Sequence, residues 1–413
     1  MKNIPTKPKL VVIGNGMAGI RTVEELLQAA PDKYDITVFG AEPYGNYNRI
    51  MLSAVLAGDK SLEDIVTNPQ QWYLDHQITL HAGAEKTAVR IDRRHKQVIA
   101  EDGTVAPYDR LLIATGSNAV FPDLPGRDLQ GVVSFRDILD VNTMLAYTQH
   151  SQHAVVLGGG LLGLEAANGL AMRGMQVTVI HNHAVLLNRQ LDQAAAQLLQ
   201  AELEQRGIQF KMATKLHALI GDAQQHIRAV ELADGTQLCC DLLVVAIGVR
   251  PNMALAQAAG IYCERGIVVN DTLQSYDPSI YAVGECIQHR GSTFGLVAPL
   301  FEQAKVCANH LSAHGVAEYI TLPTATKLKV TGIQLFSVGN FQGDVHSETL
   351  TFHDPELGVY KKLVLKADQV IGAVLYGDTL DGVWYQELLE SKTNISAWRD
   401  ILIFGKSYAK TAQ

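Results

Sequence analysis

The sequence predicts an α/β fold made of two interleaved Rossmann-like units, followed by a C-terminal α+β domain. Three observations carry this reading. Two strand–turn–helix–strand units share one glycine spacing, at residues 9–40 and 153–181. Two more buried strands, "RLLIATG" and "LLVVAIG", each follow a two-strand pattern that turns at "EDG" (101–103) or "ADG" (233–235), as return crossings between interleaved domains would. Beyond residue 320 the pattern changes to Thr-rich, β-branched strands.

The first unit opens with "KLVVIGNGMAGIRTVEELLQAA", an apolar strand running through Gly14-x-Gly16-x-x-Gly19 into a helical pattern, with a second strand "DITVFG" at 35–40. Gly14 permits the tight turn, Gly16 lets the backbone approach a pyrophosphate, and Gly19 lets helix and strand pack closely. The helix amino terminus attracts the phosphate charge. The second unit, "HAVVLGGGLLGLEAANGLAMRGMQVTVI", repeats this with Gly158, Gly160 and Gly163 between a strand at 154–158 and a helix through about 173, then a strand at 176–180. A lone fingerprint is weak evidence, but two in full strand–turn–helix context imply two dinucleotides. The useful combination is a flavin beside a nicotinamide, which sets a hydride donor against an acceptor ring. A further strand, "SIYAVGECIQ" (279–288), ends at Gly284-Glu285, where a carboxylate suits a ribityl or ribose hydroxyl. In the last region "GVYKKLVLKADQVIGAVLYGD" reads as two strands joined near "KADQ", and a helix is expected from about 380 to 391.

Composition excludes several classes. The chain has 413 residues, 47% hydrophobic and 18% charged, with a formal net charge of −8 and no basic stripe, which argues against nucleic-acid binding. Its longest apolar runs are strand-sized, short of a membrane span. The charged amino-terminal lead has no signal-peptide pattern, so a cytoplasmic location is expected. Cys239, Cys240, Cys263, Cys286 and Cys307 are odd in number and form no C-x-x-C pair. That argues against a disulfide framework, a structural zinc site and an iron–sulfur cluster. His181 and His183 stand at i, i+2 with no nearby acid or cysteine and read as surface residues, with no metal site.

The order Gly14-x-Gly16-x-x-Gly19, "ATG" (114–116), Gly158-x-Gly160-x-x-Gly163, "AIG" (246–248), "YAVGE" (281–285) resembles the two-dinucleotide-domain flavoproteins, the pyridine nucleotide-dependent reductases, over roughly residues 8 to 320. A narrower resemblance lies in "PYGNYNRIMLSAVLAG", "NRQLD" (188–192), "YAVGECIQHRGSTFGLVAPLFEQAKVCANHL" and "TKLKVTGIQLFSVGNF". These look like the flavin module of the NAD(P)H nitrite reductase large subunit and the electron-transfer components of assimilatory nitrate reductases. Ferredoxin and rubredoxin reductases are more distant cousins; many carry a Lys after the "LS" where this chain has Ala54.

The resemblance implies an FAD domain at 1–118 and 250–320, an NAD(P)H domain at 119–249 and a C-terminal α+β domain at 321–413 that covers the flavin. FAD would meet Gly14, Gly16, Met17, Ala18 and Gly19, with Glu42 on the adenosine ribose because Gly40 occupies the usual acidic place. Asn48 and Arg49 would face the flavin phosphates or ring; Ala114, Thr115 and Gly116 would approach through the backbone; Gly284 and Glu285 would anchor the ribityl chain. NAD(P)H would meet Gly158, Gly160, Leu162, Gly163 and Gly248, with Glu165 near the nicotinamide. His181 takes the place of the usual ribose acid. A neutral imidazole mimics it poorly and a protonated one would attract a 2′-phosphate, so the residues leave NADH and NADPH open, and the resemblance tilts to NADH. Phe301, Phe336, Tyr376 and Trp384 either flank the flavin or fill a core. No residue stands out as a catalytic acid, base or nucleophile. The implied activity is transfer of electrons from NADH through FAD to a separate iron–sulfur or other acceptor protein, such as a nitrate or nitrite reductase component, with a homodimer possible. A ferredoxin or rubredoxin reductase, or a non-catalytic flavin-bound redox sensor, is the alternative. With no cysteine cluster, the chain would not itself reduce nitrite.

Overall fold

The computed structural model describes residues 7–411 apart from 329 and 331. Residues 1–6, which include part of the charged lead, and Lys329 and Thr331 of the "TKLKVTG" stretch lie outside the described residues. The chain forms two compact units. The first comprises Met1–Ile50, Leu62–Asn118 and Val249–Thr321; the second comprises Met51–Ser61, Ala119–Gly248 and Leu322–Gln413.

The first unit is built on a five-stranded parallel sheet in the order Ile280–Ala282, Arg110–Ile113, Lys9–Ile13, Asp35–Gly40, Thr79–Ala82. Its central strand is apolar on both faces (Leu10, Val11 and Val12 are all buried), as a sheet covered on both sides requires. Helices Met17–Ala29 and Val297–Leu311 pack against each other, with the Arg21 guanidinium 5.6 Å from the Phe301 ring. The turn at "EDG" joins Gln97–Ala100 to Val105–Pro107 in a small antiparallel sheet.

The second unit repeats the plan in the order Val132–Val133, Leu242–Val245, His153–Leu157, Gln176–Ile180, Gln209–Lys211, all parallel. The fingerprint strand ends at Leu157, one residue before the sequence reading, because Gly158 turns to φ +122°. "ADG" joins Ile227–Leu232 to Gln237–Cys239. Helix Leu52–Ala57, from the "LSAVLAG" stretch, packs on helix Leu161–Met172: a Cβ on Gly169 would come within 2.8 Å of Leu56, and Arg173 Nε donates to the Leu56 carbonyl at 2.9 Å.

The C-terminal part of this unit is an antiparallel sheet in the order Thr326–Lys327, Leu335–Gly339, Gln369–Tyr376, Val359–Lys366, Glu348–Asp354, covered by helix Gly382–Ser391. The "KADQ" joint is a two-residue turn with positive φ at Ala367 and Asp368, the hairpin geometry that matches strand twist. Phe336, Leu363, Leu375, Tyr385 and Leu402 share the core. The sheet is tied to helix Gln193–Gln205: Tyr360 Oη donates to Asp192 Oδ2 at 2.7 Å, Lys362 pairs with Asp192 at 3.4 Å, and Tyr376 Oη donates to Glu202.

Candidate dinucleotide sites

Each fingerprint builds the same cradle. A Cβ on Gly14 would overlap the carbonyl oxygen of Ala114, and one on Gly19 would lie 2.5 Å from the Gly14 oxygen. At the second, a Cβ on Gly158 would overlap the Ala246 oxygen and one on Gly163 the Gly158 oxygen. Gly16 and Gly160 differ from these four: nothing lies within 4 Å of where their Cβ would be. Both are N-caps with φ −88° and ψ −178°, and neither helix has a side-chain cap. The first-turn amides of Met17, Ala18 and Gly19, and of Leu161, Leu162 and Gly163, therefore have no acceptor within their own helices, and the space beside the N-cap glycine is open in both. An anion fits there: the glycine leaves room, the amides donate and the helix dipole attracts.

The middle residue of each fingerprint is coupled to the end of the neighbouring strand. In the first unit a Cβ on Gly40 would lie 2.8 Å from Asn15 Cβ, which is why the usual acidic place is empty and Glu42 stands two residues on. Asn15 is held in turn by Tyr73, whose hydroxyl donates to its Oδ1 at 2.6 Å, and by its own Nδ2 donating to the Tyr44 carbonyl at 3.0 Å. Burial pushes the Tyr73 phenol up to about 12, so it remains a donor. In the second unit the exchange is reversed: Gly159 has no side chain, and His181 fills the space, its Cγ 2.8 Å from where a Gly159 Cβ would be. The Gly159 amide donates to His181 Nδ1 at 3.1 Å, which requires an unprotonated Nδ1 and places the proton on Nε2. His181 is only 8% exposed; burial, and then the His183 ring beside it, pushes its pKa below the ordinary imidazole value. The surface reading of His181 is thus corrected, while His183 is exposed.

Glu42 and Arg49, expected at separate places on a cofactor, are ion-paired with each other, and Tyr47 Oη also donates to Glu42 at 2.7 Å. Asn48 accepts from the Ile50 amide at 3.1 Å, ordering the turn that carries Arg49. Thr115 Oγ1 donates to the Asn252 carbonyl at 2.6 Å, fixing the "ATG" turn, and neither Gly116 nor Gly248 has an atom within 4 Å of its would-be Cβ. Gly284 has φ +94°, and a Cβ there would lie 3.0 Å from Ala18 Cβ, so this turn rests on the first fingerprint helix. Ser117 Oγ donates to Glu285 Oε2 at 2.7 Å. Glu165 is buried within its helix rather than on a solvent face. Phe336 and Tyr376 are core residues, and Trp384 stacks on Trp398 at 5.6 Å. Asn15, Tyr73 and Ser117 escaped the sequence reading, because nothing local distinguishes an Asn between two glycines or a distant Tyr.

The thiols offer no redox pair at these sites. Cys286, next to Glu285, is fully buried and its pKa is pushed up to about 11; Cys240 is likewise buried and pushed up to about 12. Among the described residues no group of His, Cys, Asp or Glu is arranged to hold a metal, and no helix is long and apolar enough to cross a membrane.

Comparison with known proteins places this geometry. Over 397 residues the chain is 45% identical to a Bacillus subtilis nitrite reductase (NAD(P)H), covering 96% of this chain and 49% of that protein. It is 44% identical over 400 residues to the assimilatory nitrate reductase electron transfer subunit of the same organism, covering 97% and 51%. The chain thus spans about half the length of these relatives. A ferredoxin reductase from Rhodopseudomonas palustris superposes with a TM-score of 0.87 at 25% identity, covering 98% of this chain and all of that one. Residues 324–393 match the model of the rubredoxin NAD+ reductase C-terminal domain. Residues 8–310 match the model of the pyridine nucleotide-disulphide oxidoreductases, and the chain belongs to that family of FAD-binding, NAD(P)H-dependent oxidoreductases.

Proposed function

We propose that the chain takes electrons from NADH through FAD to a separate redox protein in the cytoplasm, as the flavin module of nitrite or nitrate assimilation. The observation that carries this reading is the pair of uncapped helix starts behind the open Gly16 and Gly160. FAD would be held by residues 1–118 and 250–320 and NADH by 119–249, with 321–413 as a C-terminal α+β domain. FAD, when bound, would supply the redox chemistry that links a two-electron hydride donor to a one-electron acceptor.

The chain's own residues bind, orient and screen. Met17, Ala18 and Gly19 would donate to one pyrophosphate and Leu162 and Gly163 to the other. Glu42 would accept from a ribose hydroxyl while Arg49, its ion-pair partner, keeps its charge balanced. Glu285, steadied by Ser117, would accept from the ribityl chain. The neutral Nε2–H tautomer of His181 favours NADH, because it presents no positive charge to a 2′-phosphate. Cys286, the thiol beside Glu285, is buried with its pKa pushed up to about 11, which supports an exit from the flavin to another protein and not through a thiol relay. The near-complete overlap with a ferredoxin reductase keeps a ferredoxin- or rubredoxin-type acceptor as the second reading.

The test is NADH-driven reduction of a panel of acceptors, comprising rubredoxin, ferredoxin and a sirohaem-containing nitrite reductase module, before and after thiol alkylation. Turnover with at least one acceptor that survives alkylation supports the reading. Loss of turnover on alkylation moves the chain to thiol chemistry.

A further inference from the structure

Gly284 and Glu285 form the turn proposed to hold the ribityl chain of FAD, and any role for the residues behind them rests on that reading. Gly284 is buried, and its N–H points to a single side chain, Gln303, whose Oε1 accepts it at 2.8 Å. Gln303 is on helix Val297–Leu311 and is completely inaccessible to solvent. A buried amide side chain is costly unless its polar atoms are engaged. Here Nε2 faces Tyr319 Oη at 3.5 Å. Tyr319, itself 4% exposed, meets the His289 ring edge-on at 5.0 Å and Phe294 at 5.8 Å.

Behind Tyr319 the chain of contacts continues. The Tyr319 amide donates to the Asp271 carbonyl at 2.8 Å. His289, with no exposed surface, meets Asp271 Oδ1 through Nε2 at 2.8 Å and Thr321 Oγ1 through Nδ1 at 3.2 Å. Hydrogen bonds from Arg290, then His289, hold the Asp271 carboxyl down at about 2, so it is an acceptor throughout the working range. Nε2 of His289 is therefore the donor. None of these side chains belongs to either fingerprint, and they form one chain of contacts whose last member, Gln303, reaches the Gly284 amide.

We infer that Gln303 is the positioning residue for the Gly284–Glu285 turn, with Tyr319, His289 and Asp271 as the strut that fixes Gln303. The turn has φ +94° at Gly284 and rests on Ala18, so it has little freedom to shift while its amide remains bonded. Without the acceptor, the buried amide seeks solvent and the turn leaves the FAD-ready conformation. Binding must then restore it, and the apparent affinity falls by the fraction of protein still competent.

The experiment is FAD titration of the apo chain for wild type, Gln303→Met, Gln303→Glu and Tyr319→Phe, with far-UV circular dichroism on each. Methionine keeps the length and removes the acceptor; glutamate keeps both. Gln303→Met is expected to weaken FAD about tenfold, the effect of one buried amide left unsatisfied. Gln303→Glu keeps the acceptor but buries a carboxyl, so its affinity is expected to recover to within about threefold of wild type as pH falls and the carboxyl protonates, and Tyr319→Phe to lose about threefold. Wild-type affinity in Gln303→Met, or a loss in Gln303→Glu that matches Gln303→Met at every pH, overturns the inference. Should Gln303→Met fail to fold, Tyr319→Phe decides, and wild-type affinity there overturns it. A wild-type chain that binds no FAD overturns the proposed function as well, whereas normal wild-type binding with an unaffected Gln303→Met removes this inference alone.

Discussion

Gly40 ends the second strand of the first fingerprint unit and His181 follows directly on that of the other, and each shares its space with the middle residue of its own glycine turn. Asn15 with Gly40 and Gly159 with His181 are two solutions to one packing constraint, since the space admits one side chain. Gly159→Ala would drive a methyl against His181 and Leu186, each 2.8 Å from the added Cβ, and break the amide bond to Nδ1. Overpacking of this kind costs about 1–3 kcal/mol. The variant is expected to lose NADH affinity about tenfold in a binding titration while retaining its FAD, because the first cradle is untouched.

His181 also predicts a pH effect. Its folded pKa is depressed, so its contribution to stability is fully present above the ordinary imidazole value of about 6.5 and is lost as pH falls below it. His81 shifts in the same direction, so the comparison must be between variants. His181→Asn retains an acceptor for Gly159 and cannot titrate. Thermal unfolding at pH of about 7.5 and about 5.5 should show a smaller loss for this variant than for wild type. Equal losses would remove His181 from the account. The missing acid at residue 40 was legible in the sequence, but its cause was not. Asn15 reaches Gly40 only because Lys9–Ile13 pairs with Asp35–Gly40 in parallel register.

At the scale of elements, the fingerprint helices were legible from spacing alone, since each glycine answers a separate steric demand. The C-terminal hairpin was legible too, from its apolar runs and the "KADQ" break. Its attachment was not. Lys361 looks like a solvated strand residue, yet it is 6% exposed and its ammonium lies 2.6 Å from Asp378 Oδ2. Such a pair is asymmetric: removing the acid strands a buried cation, whereas removing the cation frees an acid that can reach water. Asp378→Ala should cost about 2–3 kcal/mol in denaturant unfolding, below the figure for a fully buried pair because Asp378 is 36% exposed. Lys361→Met should cost about 1 kcal/mol or less. Equal costs would mean that the pair acts as an ordinary surface bridge. Asp192 was equally illegible: it caps helix Gln193–Gln205 through the Ala195 amide while receiving Tyr360 and Lys362 from strand Val359–Lys366, more than a hundred residues away.

At the scale of the whole molecule, family and cofactor class were readable because they rest on short, ordered glycine motifs, and the family match over residues 8–310 agrees. The grouping of residues was harder to read. Helix Leu52–Ala57 belongs to the second unit although it follows the first fingerprint directly, because its partner surface is Gly169 of a distant helix. That helix lies in the cysteine-free "NYNRIMLSAVLAG" stretch. Anaerobic mixing of the FAD-loaded chain with NADH, followed by visible flavin absorbance, tests the central claim most directly. Complete bleaching is expected at one NADH per FAD, and slower bleaching with NADPH. Bound FAD that neither nucleotide reduces would contradict it and leave a flavin-binding sensor in its place.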